Sequence, residues 1–286
     1  MLCFPNAKIN IGLQITNKRG DGFHDLETIF FPIPMADALE ILPASLAPGI
    51  ESIQVSGIPV PGAIQGNLIL KAFQLLKIDF PNQIGDLAIF LHKCIPMGGG
   101  LGGGSSDAAF MLRMLNDYFD LKLTEEKLMR YALELGSDCP FFIINKPCFA
   151  KGRGEILERI SLDLSAYGIQ IICPEIHVST AMAFRNISPQ KPGFNLSGIG
   201  NLLIEDWKDH IKNDFEEGIF KMYPQLSTIK MQLYNQGALY AGMSGTGSSI
   251  YGIFPQGEKA RIQLETKFKA YYFNLGSEAE KFNIKK

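Results

Sequence analysis

Glycine dominates one short segment of the chain, Pro96–Asp107, in which six of the seven residues from Gly98 to Gly104 are glycine. A predicted strand precedes this segment and a predicted helix follows it. Glycine lets the backbone adopt positive φ and lets a ligand approach closely. A helix N-terminus adds unpaired N–H groups and the positive end of a dipole. The segment, called the glycine loop below, therefore predicts an anion site suited to a polyphosphate; the alternative interpretation is a flexible surface loop.

Two serines, Ser105 and Ser106, end the glycine loop. Their hydroxyls are able to cap the following helix or to hydrogen-bond a phosphate and its magnesium ion. The loop is not a P-loop, because no Gly-Lys-Ser/Thr follows the glycines. It is also not the dinucleotide fingerprint in its usual position, because that fingerprint opens a βαβ unit and has an acidic residue about 20 residues further on. The residues by themselves therefore predict a phosphate site and nothing more specific.

Two charged residues elsewhere in the chain are candidates for chemistry. Lys8 lies in a predicted strand among apolar neighbours, where a lysine is costly unless it is paired; the alternative is an edge-strand lysine that reaches solvent. Asn10 lies two residues further on and shares the strand face of Lys8. Asp138 follows a predicted helix end at Gly136. Its carboxylate suits a general base at hydrogen-bond distance from a hydroxyl, or it is only an aspartate of a helix C-terminal turn.

The elements that would position these residues alternate between strands and helices. Every second residue is apolar over Ala7–Thr16 and again over Leu87–Leu91, just before the glycine loop, which predicts two strands. Leu26–Ile33 is a further strand candidate. Helical spacing follows the glycine loop, and Thr124 then begins another helix as its N-cap. The predicted elements before residue 140 are strands at Ala7–Thr16, Leu26–Ile33 and Leu87–Leu91 and helices at Asn67–Lys77, Ser105–Phe119 and Thr124–Leu135.

The second half of the chain has a similar mixture. Ser188–Gly200 is predicted as a surface loop, because it contains several prolines and glycines. Pro224 near the start and Gly237 just past the end predict one more helix. Two short strands, Ala238–Gly242 and Ser249–Phe254, flank a second glycine-rich turn. The mixture predicts an α+β architecture with a domain boundary near residues 150 to 160.

Composition excludes several functional classes. Hydrophobic residues make up 46% of the 286 residues and charged residues 20%, the balance of a folded globular protein. The formal net charge of −2 offers no basic field for nucleic acid or an anionic membrane. The N-terminus has no signal-peptide pattern. The uncharged stretch Met231–Gly257 contains too many glycines and hydroxyl residues for a membrane span.

Cysteine and histidine usage points to a reducing compartment without a structural metal. The five cysteines have no paired spacing and are interpreted as free thiols of a cytoplasmic protein. The four histidines are scattered, so that no metal-ligand cluster is visible in the sequence.

Three segments together resemble the motifs of the GHMP kinases, a family that phosphorylates small alcohols. Pro5–Asn10 looks like the family's first motif, the glycine loop like its second, and Met243–Ser248 like its third. The resemblance implies a two-domain GHMP kinase fold, in which residues 1–152 form an N-terminal ATP-binding α/β domain. Residues 153–286 would form a C-terminal α/β sandwich-like domain, with the active site in the cleft between the two.

Within this family the match narrows to the members that act on a cytidine diphosphate-linked methylerythritol. The segments that carry it are Gly20–Thr28, Ile95–Ser106, Leu135–Phe142, Gly152–Glu155 and Asn213–Glu216. The resemblance implies ATP-dependent phosphorylation of the C2 hydroxyl of that substrate, which gives the 2-phosphate and ADP in non-mevalonate isoprenoid precursor biosynthesis. The sequence departs from the family at Phe23, where tyrosine is frequent, and at Gly66, where an acidic residue is common.

The same resemblance assigns roles on the substrate side. Asp138 would be the base that takes the hydroxyl proton, and Lys8 would keep it ionised and offset charge on the transferred phosphoryl group. The residues implied in substrate binding are Asn10 for the erythritol or diphosphate, Thr180 for the diphosphate, Phe23 and Phe184 as the two walls of a cytosine sandwich, and His24 at the edge of the base. Without the family, Phe184 is better interpreted as a core residue.

On the nucleotide side, the resemblance implies ATP with Mg²⁺. The residues implied are Pro96, Met97, Gly98, Gly99, Gly100, Leu101, Gly102, Gly103, Gly104, Ser105, Ser106, Ser244, Gly245, Thr246 and Gly247 around the phosphates, and Asn67 and Lys93 near adenine and ribose. For Asn67 a helix N-cap and for Lys93 a solvated strand lysine remain equally good interpretations. The metal would rest mostly on phosphate oxygens and water, because no carboxylate cage is visible.

Other functions remain open at this point. Another small-alcohol kinase of the family, of the homoserine or mevalonate type, is the main alternative; its substrates carry no base for Phe23, His24 and Phe184 to bind. A catalytically inactive nucleotide-binding relative is a second alternative, against which the presence of both Lys8 and Asp138 argues. We expect small molecules as partners, neither nucleic acid nor a membrane, and a monomer or weak homodimer.

Overall fold

The computed structural model describes residues 1–47, 53–60, 62–185 and 187–276. Its strands are β1 (Leu2–Cys3), β2 (Asn6–Lys18), β3 (His24–Ala36), β4 (Ala38–Pro43), β5 (Ile53–Gly57), β6 (Leu87–Lys93), β7 (Cys148–Lys151), β8 (Ile156–Arg159), β9 (Tyr167–Pro174), β10 (Tyr240–Met243), β11 (Ile250–Pro255) and β12 (Phe268–Asn274). Its α-helices are α1 (Leu68–Asp79), α2 (Gly103–Tyr118), α3 (Glu125–Leu135), α4 (Cys139–Ile144), α5 (Thr180–Arg185), α6 (Trp207–His210), α7 (Phe215–Met222) and α8 (Pro224–Asn235).

Among the described residues, the strands form three four-stranded sheets. Their strand orders are β1-β4-β6-β5, β2-β3-β7-β8 and β10-β11-β9-β12. The pairing of β5 with β6 is parallel and the other pairings within these sheets are antiparallel. This combination of mostly antiparallel sheets with separate helices confirms the predicted α+β class.

Two layers of apolar side chains hold these sheets together. Helices α1 to α4 cover the first sheet with one cluster that includes Ile89, Phe110 and Phe141. A second cluster joins the other two sheets, where Ile9 and Ile171 belong to the same buried group. Strand β2 is therefore covered on both faces, and its residues from Asn6 to Ile15 are all buried. The alternative of a solvent-reaching Lys8 is wrong: β2 does lie at the edge of its sheet, but Lys8 is only 3% exposed.

Most predicted elements are confirmed, and the boundaries of α2 differ for a local reason. The helix begins at Gly103, two residues before the predicted start, because Gly102 at its N-cap has the left-handed φ of 72° that glycine tolerates. Ser105 and Ser106 therefore lie inside the first turn. The sequence had suggested them as capping residues, and they do not cap the helix. Thr124 does cap α3, where its hydroxyl accepts a hydrogen bond from the N–H of Lys127.

The prediction of a surface loop over Ser188–Gly200 is wrong at its C-terminal end. Leu196 and Ile199 are buried in a 3-10 turn, Leu196–Asn201. They reach the same apolar cluster as Ile9, and a side chain at Gly12 would meet Leu196. The polar and proline-rich composition of the segment concealed these two anchoring side chains.

The β7–β8 hairpin bears on the domain division. Cys148 pairs with Arg159 across this hairpin, and its turn contains the predicted boundary between residues 152 and 153. The two paired strands would thus be assigned to different domains. We propose to place the boundary after Arg159, where β8 ends.

The uncharged stretch Met231–Gly257 forms the end of α8 together with β10 and β11. None of the helices in the described part of the chain combines the length and apolar composition needed to cross a bilayer. This agrees with the interpretation of the stretch from its glycines.

Candidate active site

Lys8 and Asp138 meet in the fold. Lys8 lies in β2, and Asp138 precedes the first turn of α4 without capping it. The Lys8 Nζ is 3.4 Å from Asp138 Oδ2, and the two side chains are 4% and 36% exposed. The ammonium is therefore sheltered from water, which strengthens its attraction to the carboxylate. The carboxylate itself remains accessible to a ligand that enters from outside.

Asn10 holds the Lys8 ammonium in place. The Lys8 Nζ donates a hydrogen bond to Asn10 Oδ1 at 2.6 Å and lies 4.8 Å from the centre of the Phe30 ring. Asn10 Nδ2 donates to Thr28 Oγ1 at 3.1 Å. The amide oxygen is thus already bound by Lys8. For a substrate, Asn10 offers mainly its second amide hydrogen, which is less than the sequence suggested.

A cleft of about 540 Å³ surrounds this pair and is called the central cleft below. Its floor consists of the glycine loop and of the turn Ser244–Gly247, called the second turn. The residues of these two segments that line the central cleft are Gly98, Gly100, Gly102, Gly245, Thr246 and Gly247. The structure thus brings the first, second and third sequence motifs together around Lys8 and Asp138.

The second turn lies directly against the glycine loop. Ser244 Oγ donates to the carbonyl of Gly100 at 2.8 Å, and the N–H of Ser249 donates to the carbonyl of Gly99 at 3.2 Å. Gly100 has a φ of 77°, and a Cβ there would collide with the carbonyl of Ser244. Glycine is therefore required at this position for both reasons.

Several backbone N–H groups of the glycine loop have no partner among the described residues. Within the described part of the chain, the N–H groups from Gly100 to Gly104 donate no hydrogen bond to another residue. Unpaired N–H groups at a helix N-terminus attract anions. The geometry therefore retains the donors that an anion site at this loop needs.

A separate pocket of about 700 Å³, the Asn67 pocket, opens beside the glycine loop. Its walls are mostly apolar side chains, namely Ile53, Val55, Ile58, Val60, Leu68 and Leu91. Asn67 lines this pocket and also acts as the N-cap of α1, where its Oδ1 accepts from the N–H of Ile69 at 2.9 Å. The interpretation of Asn67 as an N-cap is thus confirmed, and it does not remove the residue from the pocket.

Lys93 also lines the Asn67 pocket, but it is not the solvated lysine that the sequence allowed. It is 2% exposed and its ammonium contacts the carboxylates of Asp37 and Asp107, the latter at 2.7 Å. Burial alone would lower the pKa of the Lys93 ammonium, but these two carboxylates raise it above its ordinary value. The ammonium of Lys93 is therefore paired with carboxylates inside the protein and not with solvent.

Asp107 is a functional candidate that sequence reasoning missed. It lines the Asn67 pocket, and its buried Oδ1 has no hydrogen-bond partner. Burial raises the pKa of Asp107 to about 8; Lys93 opposes this rise and the nearby carboxylate of Asp37 adds to it. Asp37 Oδ1 accepts the N–H groups of Cys94 and Ile95. The only signal in the sequence was a carboxylate directly after the two serines of the glycine loop.

A third pocket, the Phe184 pocket, measures about 590 Å³ and contains Phe23, His24, Thr180 and Phe184. The His24 and Phe184 rings lie 5.3 Å apart with an interplanar angle of 34°. Phe23 is 49% exposed, and the guanidinium of Arg153 lies 3.9 Å from its ring centre. The predicted sandwich residues are thus gathered in one pocket, although the rings of Phe23 and Phe184 contact Arg153 and His24 rather than each other.

The Phe184 pocket opens into the central cleft. Arg153, Thr180 and Phe184 line both. Thr180 Oγ1 lies 3.4 Å from Thr246 Oγ1 of the second turn. Arg153 belongs to the Gly152–Glu155 segment, to which the sequence assigned no role, and it adds a positive charge at the junction. A ligand with an aromatic end and an anionic middle would therefore fit across the two cavities.

The described residues contain no group of three or more histidine, cysteine, aspartate or glutamate side chains arranged to hold a metal ion. Ser106 Oγ in the first turn of α2 is buried and has no hydrogen-bond partner. An orphaned hydroxyl beside unpaired amides fits a metal-bearing phosphate, because it can contact either the ion or a phosphate oxygen.

Comparison with known proteins gives a consistent result. Residues 67–146 match the family model "GHMP kinases N terminal domain" and residues 196–271 match "GHMP kinases C terminal". The chain is 47% identical to the 4-diphosphocytidyl-2-C-methyl-D-erythritol kinase of Bacteroides fragilis over 94% of this chain and 97% of the relative. It is 50% identical to the enzyme of the same name from Azobacteroides pseudotrichonymphae over 89% of this chain and 93% of the relative.

Solved structures agree with these sequence matches. A crystal structure of 4-(cytidine 5'-diphospho)-2C-methyl-D-erythritol kinase superposes with a TM-score of 0.74 at 30% identity, over 88% of this chain and 89% of that chain. Homoserine kinase from Cytophaga hutchinsonii superposes with a TM-score of 0.65 at 16% identity, over 93% of both chains, which shows a common fold alone.

Proposed function

Because the chain belongs to the GHMP kinases and, within them, to the 4-diphosphocytidyl-2-C-methyl-D-erythritol kinases, we propose that it transfers the γ-phosphoryl group of ATP to the C2 hydroxyl of 4-diphosphocytidyl-2-C-methyl-D-erythritol. The products are the 2-phosphate and ADP, and the reaction is a step of non-mevalonate isoprenoid precursor biosynthesis. The contact between Lys8 and Asp138 in the central cleft, which opens into the Phe184 pocket, is the observation that carries this proposal.

Asp138 is proposed as the general base of the transfer. Its carboxylate is accessible from the central cleft and accepts the proton of the C2 hydroxyl as that oxygen attacks the γ-phosphorus. Lys8 offsets negative charge that develops on the phosphoryl oxygens. Asn10 fixes the Lys8 ammonium through the 2.6 Å hydrogen bond, so that little reorganisation is needed when the substrate arrives.

The glycine loop and the second turn are proposed to bind the phosphates of ATP. The unpaired N–H groups lie at the start of α2, which is also the positive end of the helix dipole, and both features favour a bound phosphate. The base and ribose of ATP would occupy the Asn67 pocket, where apolar walls surround Asn67 and Lys93. Mg²⁺ would be held by phosphate oxygens and water beside Ser105 and Ser106, and it would neutralise phosphate charge.

The Phe184 pocket is proposed to bind the cytidine end of the substrate. Phe23 and Phe184 offer ring faces for stacking, and His24 offers hydrogen bonds that distinguish cytosine from other bases. Thr180 and Arg153 lie between this pocket and Asp138, where the diphosphate must pass. A positive side chain at that position suits two bridged phosphates.

The two alternative functions have less support. A homoserine- or mevalonate-type kinase would need neither an aromatic pocket nor a cation at its junction with the cleft. The relatives matched at 47% and 50% identity are not of these types. A relative that had lost catalysis would not need Lys8 and Asp138 in contact. The cytoplasm as the compartment, and a monomer or weak homodimer as the state of assembly, stay predictions.

The decisive experiment measures ADP release by the purified protein with ATP and Mg²⁺ and a panel of acceptors. We expect turnover with 4-diphosphocytidyl-2-C-methyl-D-erythritol, a new phosphomonoester resonance by phosphorus NMR, and none with mevalonate or homoserine. Turnover with either of the latter and none with the cytidyl substrate would overturn the assigned specificity. Omission of Mg²⁺ should abolish turnover.

A further inference from the structure

Residues 212–216 form a connection that lies along the free edge of β2. The N–H of Leu13 donates to the carbonyl of Lys212 at 2.9 Å, and the N–H of Asp214 donates to the carbonyl of Leu13 at 2.8 Å. Asp214 Oδ2 accepts from the N–H of Ile15 at 2.7 Å. The connection is therefore fixed to the strand that carries Lys8.

Asn213, within this connection, reaches the backbone of the second turn with its side chain. It is 4% exposed, and its Nδ2 donates to the carbonyls of Met243 and Gly245, each at 2.8 Å. Its Oδ1 accepts from the N–H of Phe215 at 3.0 Å. Both amide hydrogens of this buried side chain thus form hydrogen bonds with the backbone of the second turn and of the residue before it.

Two further side chains hold the same stretch of backbone. Glu216 Oε1 accepts from the N–H of Met243 at 2.8 Å, while Glu216 Oε2 accepts from Lys230 Nζ at 2.6 Å. On the opposite side, Ser244 Oγ donates to the carbonyl of Gly100. The second turn is consequently held between β2 and the glycine loop by side chains on both sides.

The second turn needs such external support because of its own composition. Gly245 has a φ of 57° and Gly247 a φ of 89°, and glycine pays the largest entropy cost when its backbone is fixed. The turn lines the central cleft beside Lys8 and Asp138 but neither the Asn67 pocket nor the Phe184 pocket. A displaced turn would therefore disturb ligands at their phosphates and leave both base pockets intact.

We propose that Asn213 is a positioning residue for the phosphoryl transfer, which acts through the second turn and is assisted by Glu216. This inference rests on the proposed function, because it assigns the turn to the phosphates of the two substrates. Asn213 fixes the distance between the turn and the strand of Lys8, and so determines where the turn's backbone meets the phosphates.

The test compares Asn213→Asp and Asn213→Ala with the wild-type protein. The aspartate keeps the size and the bond to Phe215 but replaces both donors by an oxygen that faces two carbonyl oxygens. We expect kcat to fall by about 10- to 100-fold, the range for a small misplacement of groups around reacting atoms. Calorimetric affinity should fall for a non-hydrolysable ATP analogue and stay unchanged for adenosine and for cytidine, which carry no phosphate.

Asn195→Ala is the matched control for these variants. Asn195 Oδ1 accepts from the N–H of Ser197, two residues further on, as Asn213 accepts from Phe215, but it does not contact the second turn. This variant should keep the wild-type kcat and all ligand affinities.

Glu216 provides a second test that does not depend on the folding of the Asn213 variants. Glu216→Gln keeps an oxygen acceptor for the N–H of Met243, whereas Glu216→Ala loses it, so the proposal expects the glutamine variant to retain much more of the wild-type kcat. Lys230→Met breaks the ion pair with Glu216 but leaves the contact with Met243, and it should behave like the wild type.

Two results would overturn the positioning role. One is a wild-type kcat in Asn213→Asp. The other is an equal loss of affinity for adenosine, cytidine and the ATP analogue, which would mean that Asn213 supports the fold as a whole. If the wild-type protein failed to phosphorylate the cytidyl substrate, the proposed function would fall, but the comparison of phosphate-bearing and phosphate-free ligands would still decide the role of Asn213.

Discussion

At the scale of single residues, the two members of the proposed catalytic pair differ in their contact with water. Lys8 is buried and held by Asn10, whereas Asp138 keeps about a third of its side chain accessible. A buried, fixed ammonium acts at full strength on a neighbouring carboxylate. An accessible carboxylate can meet an incoming hydroxyl. The difference in exposure thus matches the two roles that we assign.

Asp138→Asn should bind ATP and lose most turnover, because an amide cannot accept the hydroxyl proton. General acid–base catalysis contributes about 10²- to 10⁴-fold, and we expect a loss of kcat in this range. ADP release and calorimetry with ATP measure the two quantities. Asp120→Asn, which removes a carboxylate that is paired with Lys122 at the surface, is the control. Near-normal turnover of Asp138→Asn would remove this residue from the mechanism.

Phe184→Ala should weaken the cytidyl substrate and leave ATP affinity unchanged. Stacking of one base on an aromatic ring is worth about 1–3 kcal/mol, so the dissociation constant should rise by roughly 5- to 150-fold. Phe194 forms a comparable pair with His210, with ring centres 5.7 Å apart, and Phe194→Ala should not change either affinity. An equal loss for cytidyl substrate and ATP in Phe184→Ala would count against the stacking role.

The residues of the site were predictable where they belong to a motif. The structure brings Lys8, Asp138 and the motif glycines together and places Phe184 in a pocket that opens into the same cleft, while their roles stay predictions. Asp37 and Asp107 were not found, because they lie 56 and 14 residues from their partner Lys93 on separate elements, and an ion pair of this kind leaves no periodic signal. Asn213 was noticed as part of a matching segment, but only the fold shows what its amide touches.

At the scale of elements, the cluster of Asp37, Lys93 and Asp107 joins three pieces of the first domain. Asp37 stands between β3 and β4, Lys93 ends β6, and Asp107 lies in the first turns of α2. Two carboxyl groups share one ammonium in a buried space, so that a proton on one carboxyl group relieves their mutual repulsion. The raised pKa of Asp107 places that proton in the folded protein near neutral pH.

This proton predicts a dependence of stability on pH. Between the ordinary aspartate pKa and about 8, the folded protein holds a proton on Asp107 that the unfolded chain has released. The free energy of unfolding should therefore decrease as pH rises through this window. Asp107→Asn cannot titrate, so its free energy of unfolding should fall less over the same window.

Urea unfolding at about pH 5.5 and pH 8.5 measures this difference. Asp117→Asn, on the exposed side of the same helix, is the control and should keep the slope of the wild type. Identical slopes for the wild type and Asp107→Asn would show that Asp107 is ionised in the folded protein at both pH values. Lys93 and Asp37 remain unchanged in all three proteins.

Element boundaries followed the sequence where a capping residue marked them. Thr124 and Gly136 delimit α3, and Pro224 begins α8, as their positions predict. The start of α2 was placed too late, because glycine is a poor helix former and the glycines of the first turn concealed it. The fold compensates for this weakness through the packing of buried residues along α2.

At the scale of the whole molecule, the two halves share one core. Ile9 and Ile29 of the first half lie in the same buried cluster as Ile169 and Ile171 of the second. A molecule whose halves are joined in this way should unfold as a unit. The hydrophobic pattern predicted the strands of Ile9 and Ile29 but not the strand of Ile169 and Ile171, and no rule of periodicity indicates which sheet faces which.

The shared core predicts a single unfolding transition in urea. Trp207 is the chain's only tryptophan, is 1% exposed and lies in the second half. Its fluorescence should change at the same urea concentration as the far-ultraviolet circular dichroism of the whole chain. Ile171→Ala should move both transitions to lower urea together, with a loss of about 2–5 kcal/mol. Separate midpoints for the two signals would show that the halves unfold independently.

The same cluster of isoleucines has a consequence for inhibitor discovery. A hinge between the halves would have to expose these side chains to water, at about 25 cal/mol for each Å² of apolar surface. The cavities are therefore present before any compound arrives, and rigid scaffolds are better starting points than flexible ones. A scaffold that spans both the aromatic cavity and the phosphate site should also discriminate against kinases of the same fold whose acceptors lack a nucleobase.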